Sequence, residues 1–373
     1  TLAPGDRLFL GSFEVSWENW NRRKKVAVSD GVSLCARDLT QVEIETGTGK
    51  PICILHKVNL SLFPGELVAV MGPSGSGKTT LFEMLNGYKP PTRGNVFLGG
   101  MDLYAHWDQL KESVGYVPQD DIIYPDLTVF DSLYYTARLR LPHDTRDAEI
   151  EARIDRVLRD LDLLEKKHTR IGGPGDRTLS GGQRKRVNIA QELLTEPPVL
   201  FLDEPTSGLS AQDALGVVQV LKSIASSGRL VIVSIHSPTE RIFSLFDHVI
   251  LLKEGHLAYL GPVKQSFSFF QAAGQDPAEL MERLNARTGA QWQEHYERSY
   301  LYQEYVLERF SDISPSLPKQ SNPMTFGQQM HQFCTLARRY LKLKWASAFF
   351  RTILLIEPIA ISLFIALVFH NSR

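Results

Sequence analysis

Residues 67–87 read LVAVMGPSGSGKTTLFEMLNG, and this stretch decides the fold. Leu67 to Met71 is a short apolar run of the kind that forms a buried strand. GPSGSGKT at 72–79 fits the pattern G-x-x-x-x-G-K-[ST]. TTLFEMLNG then predicts a helix closed by Gly87. Strand, glycine loop and helix in that order are the context that makes the pattern a phosphate-binding loop. The loop comprises Gly72, Pro73, Ser74, Gly75, Ser76 and Gly77, followed by Lys78, Thr79 and Thr80 at the helix start. Gly72, Gly75 and Gly77 let backbone N–H groups close on phosphate oxygens at the positive end of the helix. Lys78 places a point charge at the β- and γ-phosphates, and the Thr79 hydroxyl can ligate Mg²⁺.

Two further segments extend the chemistry. Leu179, Ser180, Gly181, Gly182 and Gln183 (LSGGQ) precede RKRVNIAQELL, which predicts a helix. Hydroxyl, backbone donors and helix dipole make a second anion site there. One nucleotide needs one such loop, so a second invites a head-to-tail dimer in which each ATP lies between one chain's Lys78 and the other's Ser180. VLFLDE at 199–204 is an apolar strand ending in two carboxylates. Asp203 is the candidate Mg²⁺ ligand and Glu204 the candidate general base, a role that contributes about 10²–10⁴-fold to rate.

The order and spacing of these segments resemble the ATP-binding cassette (ABC) ATPases. The resemblance implies roles for further residues. Gln119, in VGYVPQD, matches the glutamine that touches Mg²⁺ and water and faces the membrane partner. His236, in VIVSIHSPT, matches the switch histidine that senses the γ-phosphate, and SGLS at 207–210 matches the D-loop. It also implies a P-loop NTPase core with an antiparallel β subdomain and a helical subdomain. A finer likeness is to the G subfamily, the white or eye-pigment type. It is carried by LTVFDSLYYTARLRLP at 127–142, KRVNIAQELLTEPPVLFLDEPTSGL at 185–209 and RIFSLFDHVILLKEGHLAYLGP at 241–262. DPAEL at 276–280 is similar to the segment that follows the cassette in that group. The resemblance implies an ATP-hydrolysing half-transporter that pairs with a second copy or a related half-transporter. Its membrane domain follows on the same chain, and its cassette lies on the cytoplasmic side of a plasma or bacterial inner membrane.

Two departures from the family pattern stand out. No Phe, Tyr or Trp occurs between Asn21 and Leu62, where the family carries an aromatic that stacks on adenine. Val42 and Ile44, on one face of an expected strand Gln41–Glu45, are the stand-ins. Ser210 occupies the D-loop position at which the family has Asp, although Ser210 with Asp213 still makes a helix-capping pair.

Composition agrees. The 373 residues carry a formal net charge of −1, which gives no electrostatic basis for a nucleic-acid partner. Cys35, Cys53 and Cys334 have no metal or redox spacing. The chain divides into an N-terminal arm at 1–30, the cassette at 31–270, a linker with a connecting helix at 271–350, and the start of a first transmembrane helix, carried in part, at 351–373. The arm, TLAPGDRLFLGSFEVSW, predicts two short strands around a Pro-Gly-Asp turn and is similar to the last strands of a forkhead-associated domain. Alternating strands and helices in the cassette predict an α/β core with a mostly parallel sheet. The connecting segment carries Phe326, Met330, Phe333 and Leu336 at helical spacing, followed by Arg338, Arg339, Lys342, Lys344 and Arg351, as an amphipathic surface helix would. TILLIEPIAISLFIALVF at 352–369 is barely long enough to span a bilayer and contains Glu357 and Pro358. Two other readings are a soluble cassette ATPase acting on ribosomes or DNA, and a nucleotide-gated regulatory or phosphopeptide-binding module.

Overall fold

The structure, a computed structural model, describes residues 7–10, 13–16, 31–45, 47, 49–173, 178–311, 326–346, 352 and 356–364. β1 (Arg7–Leu10) pairs antiparallel with β2 (Phe13–Ser16), Leu10 opposite Phe13. Residues 11 and 12, between the two strands of this hairpin, lie outside the described residues. The Pro-Gly-Asp at 4–6, expected to be its turn, lies outside the described residues.

Six strands form the central sheet in the order β12-β11-β5-β10-β9-β8. They are β5 (Leu67–Met71), β8 (Val114–Val117), β9 (Val199–Leu202), β10 (Leu230–Ser234), β11 (His248–Lys253) and β12 (His256–Pro262). Every residue of β5, β9 and β10 is buried. That is why these strands read as unbroken apolar runs rather than as alternations: a parallel strand covered on both faces has no polar side. The five strands from β11 to β8 run parallel, and β12 returns antiparallel to β11. Glu254 (φ 51°) and Gly255 (φ 75°) make that return, both left-handed as a two-residue hairpin turn of the primed type requires.

A second, antiparallel sheet has the order β4-β3-β6-β7, from β3 (Leu34–Ile44), β4 (Pro51–Leu62), β6 (Arg93–Leu98) and β7 (Met101–Asp102). Helix α1 (Lys78–Leu85) follows the glycine loop. The expected helical lobe is built from α2 (Val129–Arg140), α3 (Asp147–Asp160) and α4 (Gly181–Leu193). Thr128 caps α2 by accepting the Asp131 N–H at 3.1 Å. α3 turns Ile150, Ile154, Val157 and Leu158 inward, the stripe expected of a surface helix. α5 (Ala211–Ser226) packs against β10 and β5.

The polypeptide after β12 folds back onto the cassette. After α6 (Pro277–Leu284), α7 (Gly289–Glu297) supplies Trp292 and Tyr296 to an aromatic cluster with Tyr259, Phe269 and Phe270. Tyr296 donates its hydroxyl to Leu260 O at 2.6 Å. A π-helical turn, Gln303–Glu308, then crosses β4, and Ser61 Oγ donates to Val306 O at 3.1 Å. Arg309 ends this strap with a 2.7 Å ion pair to Glu66.

Helix α8 (Phe326–Ala346) realises the expected connecting helix. It lies against α2: Lys342 pairs with Asp131 at 2.5 Å, and the Arg339 guanidinium sits 5.1 Å from the Tyr124 ring. Met330, Phe333 and Leu336 are exposed, whereas the side chain of Phe326 is outside the described set. Among the described residues no helix is long and apolar enough to cross a membrane. The first transmembrane helix expected at 351–373 is therefore not supported, most of that segment lying outside them.

Candidate nucleotide-binding and hydrolysis site

Four loops leave the carboxyl ends of adjacent strands, and each carries an expected site residue. The glycine loop follows β5, Gln119 follows β8, Asp203 and Glu204 follow β9, and His236 follows β10. The register aligns these ends, with Val70 opposite Ser234, and Leu202 opposite both Val233 and Val117. Open α/β sheets bind ligands at this edge.

In the glycine loop, Lys78 Nζ donates to Gly72 O at 2.8 Å and Pro73 O at 2.9 Å. Burial pushes its pKa down from the ordinary lysine value, opposed by Glu204 and Asp203. The glycines serve different ends. At Gly72 a Cβ would meet Leu252 O at 2.3 Å, so the loop is pressed onto β11. Gly77 (φ 96°) caps α1 in the left-handed region and abuts Leu55 of β4. Gly75 (φ 74°) faces open space, where a nucleotide's phosphates need room. Ser76 is buried, and its Oγ has no hydrogen-bond partner among the described residues. Ser74, Gly75 and Thr79 are exposed, whereas Pro73 and Thr80 are partly covered. A phosphate chain fits this loop: the acceptors holding Lys78 are replaceable carbonyls, and the loop is open to solvent at Ser74, Gly75 and Thr79.

Across the site, Gln119 Nε2 donates to Glu204 Oε2 at 3.0 Å. Ser234 Oγ donates to Asp203 Oδ1, and the Glu204 N–H donates to Ser234 Oγ at 2.9 Å. Glu204 adopts φ 43°, a left-handed conformation that side chains resist. His236 is exposed two residues beyond Ser234. The available donors, a threonine hydroxyl, a glutamine and a carboxylate, are hard oxygen ligands of the kind Mg²⁺ takes. Among the described residues no group of three or more His, Cys, Asp or Glu could enclose a metal.

The segment expected to be the second anion site is a capped helix start. Ser180 caps α4 by accepting the Gln183 N–H at 3.2 Å, and Gln183 Oε1 accepts the Ser180 N–H at 3.0 Å. Leu179 is buried in the core and anchors the loop. A Cβ at Gly181 would meet Leu209 at 2.9 Å, and one at Gly182 would meet Asp213 at 2.7 Å, so both glycines pack against the start of α5. Ser210 caps α5 as expected, its Oγ accepting the Asp213 N–H at 3.1 Å and donating to Asp213 Oδ2 at 2.9 Å. Asp213 Oδ1 in turn accepts from Ser180 Oγ at 3.4 Å.

Val42 and Ile44 lie at the exposed end of β3, opposite Cys53 and Pro51 of β4. Glu45, expected to end their strand, lies one residue past it. β4 is also the strand whose Leu55 packs on Gly77.

Sequence reading missed two residues. Ser234 is one, and Lys185 is the other: buried on α4, it donates to Gln119 O at 2.7 Å and reaches Asp121 Oδ1 at 3.3 Å. A lone Lys inside the apolar face of α4 is the signal that could have found it.

Residues 55–207 match the family model described as "ABC transporter". The chain is 43% identical over 236 residues to ABC transporter G family member 14 of Arabidopsis thaliana, covering 61% of this chain and 36% of that protein. It is 33% identical over 318 residues to G family member 26 of the same plant, covering 79% and 45%. Protein white of Drosophila melanogaster is 42% identical over 218 residues, covering 57% and 31%. The chain thus spans under half the length of these relatives. Among solved structures, a dimeric bacterial ABC transporter cassette superposes with a TM-score of 0.53 at 26% identity, covering 61% of this chain and 98% of its own. A dimeric cassette in a post-hydrolysis state bound to ADP and Pi superposes at 0.52, with the same identity and coverage. Loop by loop, the four strand ends, the capped Ser180 and these likenesses converge: the cassette of this chain is an ABC nucleotide-binding domain of the G-family type.

Proposed function

We propose that this chain is the ATP-hydrolysing domain of a G-type ABC half-transporter, coupling ATP binding and hydrolysis in a dimer to movement of a substrate across a membrane. The observation that carries the reading is the convergence of Gln119 on Glu204, 3.0 Å apart, on the strand edge that also bears Lys78. Phosphate oxygens replace Gly72 O and Pro73 O as acceptors for Lys78 Nζ. Glu204, held by Gln119, takes a proton from the attacking water. Thr79, Asp203 and Gln119 would hold Mg²⁺, which when bound neutralises charge on the β- and γ-phosphates. His236 senses the γ-phosphate, and Val42 with Ile44 supplies an apolar seat for adenine.

A second copy, or a related half-transporter, would complete each site through Ser180, Gly181 and Gly182. The relatives' greater length supports a membrane domain on the same chain, and the exposed apolar stripe of α8 with its basic residues supports a helix at a membrane surface. The cassette would then lie on the cytoplasmic side.

Steady-state hydrolysis and nucleotide binding by wild type, Glu204→Gln and Lys78→Ala test this reading. Glu204→Gln should bind ATP and nearly cease turnover, whereas Lys78→Ala should bind poorly. Near-normal turnover by Glu204→Gln would sink the general-base assignment. Fractionation of cells carrying the natural full-length protein tests the membrane reading, which fails if the protein remains in the soluble fraction.

A further inference from the structure

We propose that Ser234 is a positioning residue of the hydrolytic centre, whose single hydroxyl orients both Asp203 and Glu204. The proposal rests on the hydrolysis reading above and deepens it. Ser234 is the last residue of β10, set between β5 and β9 in the sheet, and is 2% exposed. Its direction of hydrogen bonding is fixed by its partners. The Asp203 carboxylate can only accept, and the Glu204 N–H can only donate. The hydroxyl proton therefore goes to Asp203 Oδ1, and a lone pair takes the Glu204 N–H at 2.9 Å.

Three consequences follow from that geometry. Asp203 has one oxygen occupied and is turned so that its other oxygen remains for a cation. The peptide between Asp203 and Glu204 is pinned, which helps to hold Glu204 at φ 43°. Glu204 is then fixed at both ends, its backbone by Ser234 and its carboxylate by Gln119 at 3.0 Å. Because Ser234 lies two residues before His236, the same strand end also sets where the switch loop begins. An alanine there would leave the partly buried Glu204 N–H without its acceptor and free Asp203 to rotate. Groups of this kind, which hold a metal ligand without touching the metal, change affinity or activity by about 10–100-fold when removed.

The test compares wild type with Ser234→Ala, Ser234→Cys and Ser234→Thr in the 373-residue chain. Melting temperature without nucleotide controls for folding. Binding of N-methylanthraniloyl-ATP is titrated in EDTA and against Mg²⁺, and steady-state hydrolysis gives kcat and KM. Ser234→Ala should bind nucleotide in EDTA as wild type does, need about tenfold more Mg²⁺ for half-maximal enhancement, and lose about 10–100-fold in kcat. Its KM for ATP should change little. Ser234→Cys, of near-equal size with a weak donor, should resemble Ser234→Ala, and Ser234→Thr should restore most of both readouts. Unchanged Mg²⁺ dependence in Ser234→Ala would overturn the proposal. So would equal impairment of Ser234→Thr and Ser234→Ala, which would mean that shape and not the hydroxyl matters. If wild type binds nucleotide but does not turn it over, the hydrolysis reading fails and the Mg²⁺ titration still decides Ser234. Should Ser234→Ala not fold, the Cys and Thr variants carry the same comparison.

Discussion

Gln119 Nε2 rests 3.0 Å from Glu204 Oε2, joining residues 85 positions apart in the chain. Behind that contact stands Lys185, whose ammonium is held by Gln119 O and Asp121. Since Lys185 lies on α4 and Ser180 caps the same helix, the loop that holds Glu204 is braced by the helix whose start is the proposed second anion site.

Lys185→Met should therefore loosen the Gln119 loop while preserving the apolar packing of α4. Carbonyls and a carboxylate left without their donor lower stability by about 1–3 kcal/mol. Turnover should fall with ATP affinity nearly unchanged, since Lys78 and the glycine loop are untouched. Denaturant melts and ATPase kinetics check both effects. A variant with wild-type kcat would show that the loop needs no brace.

Mixing should reveal shared sites. Lys78→Ala and Ser180→Ala protomers, each nearly inactive alone, can pair their damaged elements in one composite site and leave the other intact. Some hydrolysis should return on mixing, read as rate against the ratio of the two proteins. No recovery at any ratio, with activity per chain independent of concentration, would remove the composite-site model.

A ring should improve the adenine seat. Val42 and Ile44 are 38% and 76% exposed, so either position has room for Tyr. Val42→Tyr or Ile44→Tyr, whichever faces the base, should lower the KM for ATP by up to about tenfold, on the order of 1 kcal/mol of stacking. Turnover should be unaffected. Unchanged nucleotide titrations in both variants would place the base elsewhere.

Acid should destabilise the cassette through His248. Burial lowers its pKa below the ordinary 6.5, opposed by Glu66 and Asp247, while Arg309 and Lys222 add to the lowering. Tyr305 packs on the same ring. A histidine kept neutral by the fold binds protons more readily when unfolded. Its contribution is thus complete above the unfolded value and is lost as pH falls from about 6.5 through the folded value. Melting temperature should be level above that point and drop below it. His248→Gln should flatten part of the drop, and an unaltered profile would exclude this histidine as a cause.

What could be read from the sequence was local. The strand-loop-helix of residues 67–87, the carboxylates after β9 and the capped start of α4 each depend on neighbours within a few positions. Ser234 meets Asp203 across 31 positions, Lys185 meets Gln119 across 66, and Ser180 meets Asp213 across 33. No periodicity encodes such pairings, because sheet order creates them. The β11–β12 hairpin was legible in principle from the Glu-Gly between two apolar runs.

The strap of residues 303–309 has a practical consequence for anyone cutting the gene. A recombinant cassette ended just after residue 270 would lose Trp292, Tyr296 and Arg309, leaving Tyr259, Phe270 and Glu66 without the partners that cover them. Such a fragment should express poorly and clump, even though it contains every side chain proposed to contact ATP. A boundary beyond Ser311 keeps the aromatic layer closed. In this chain, the smallest piece that stays in solution is therefore longer than the smallest piece that holds the chemistry.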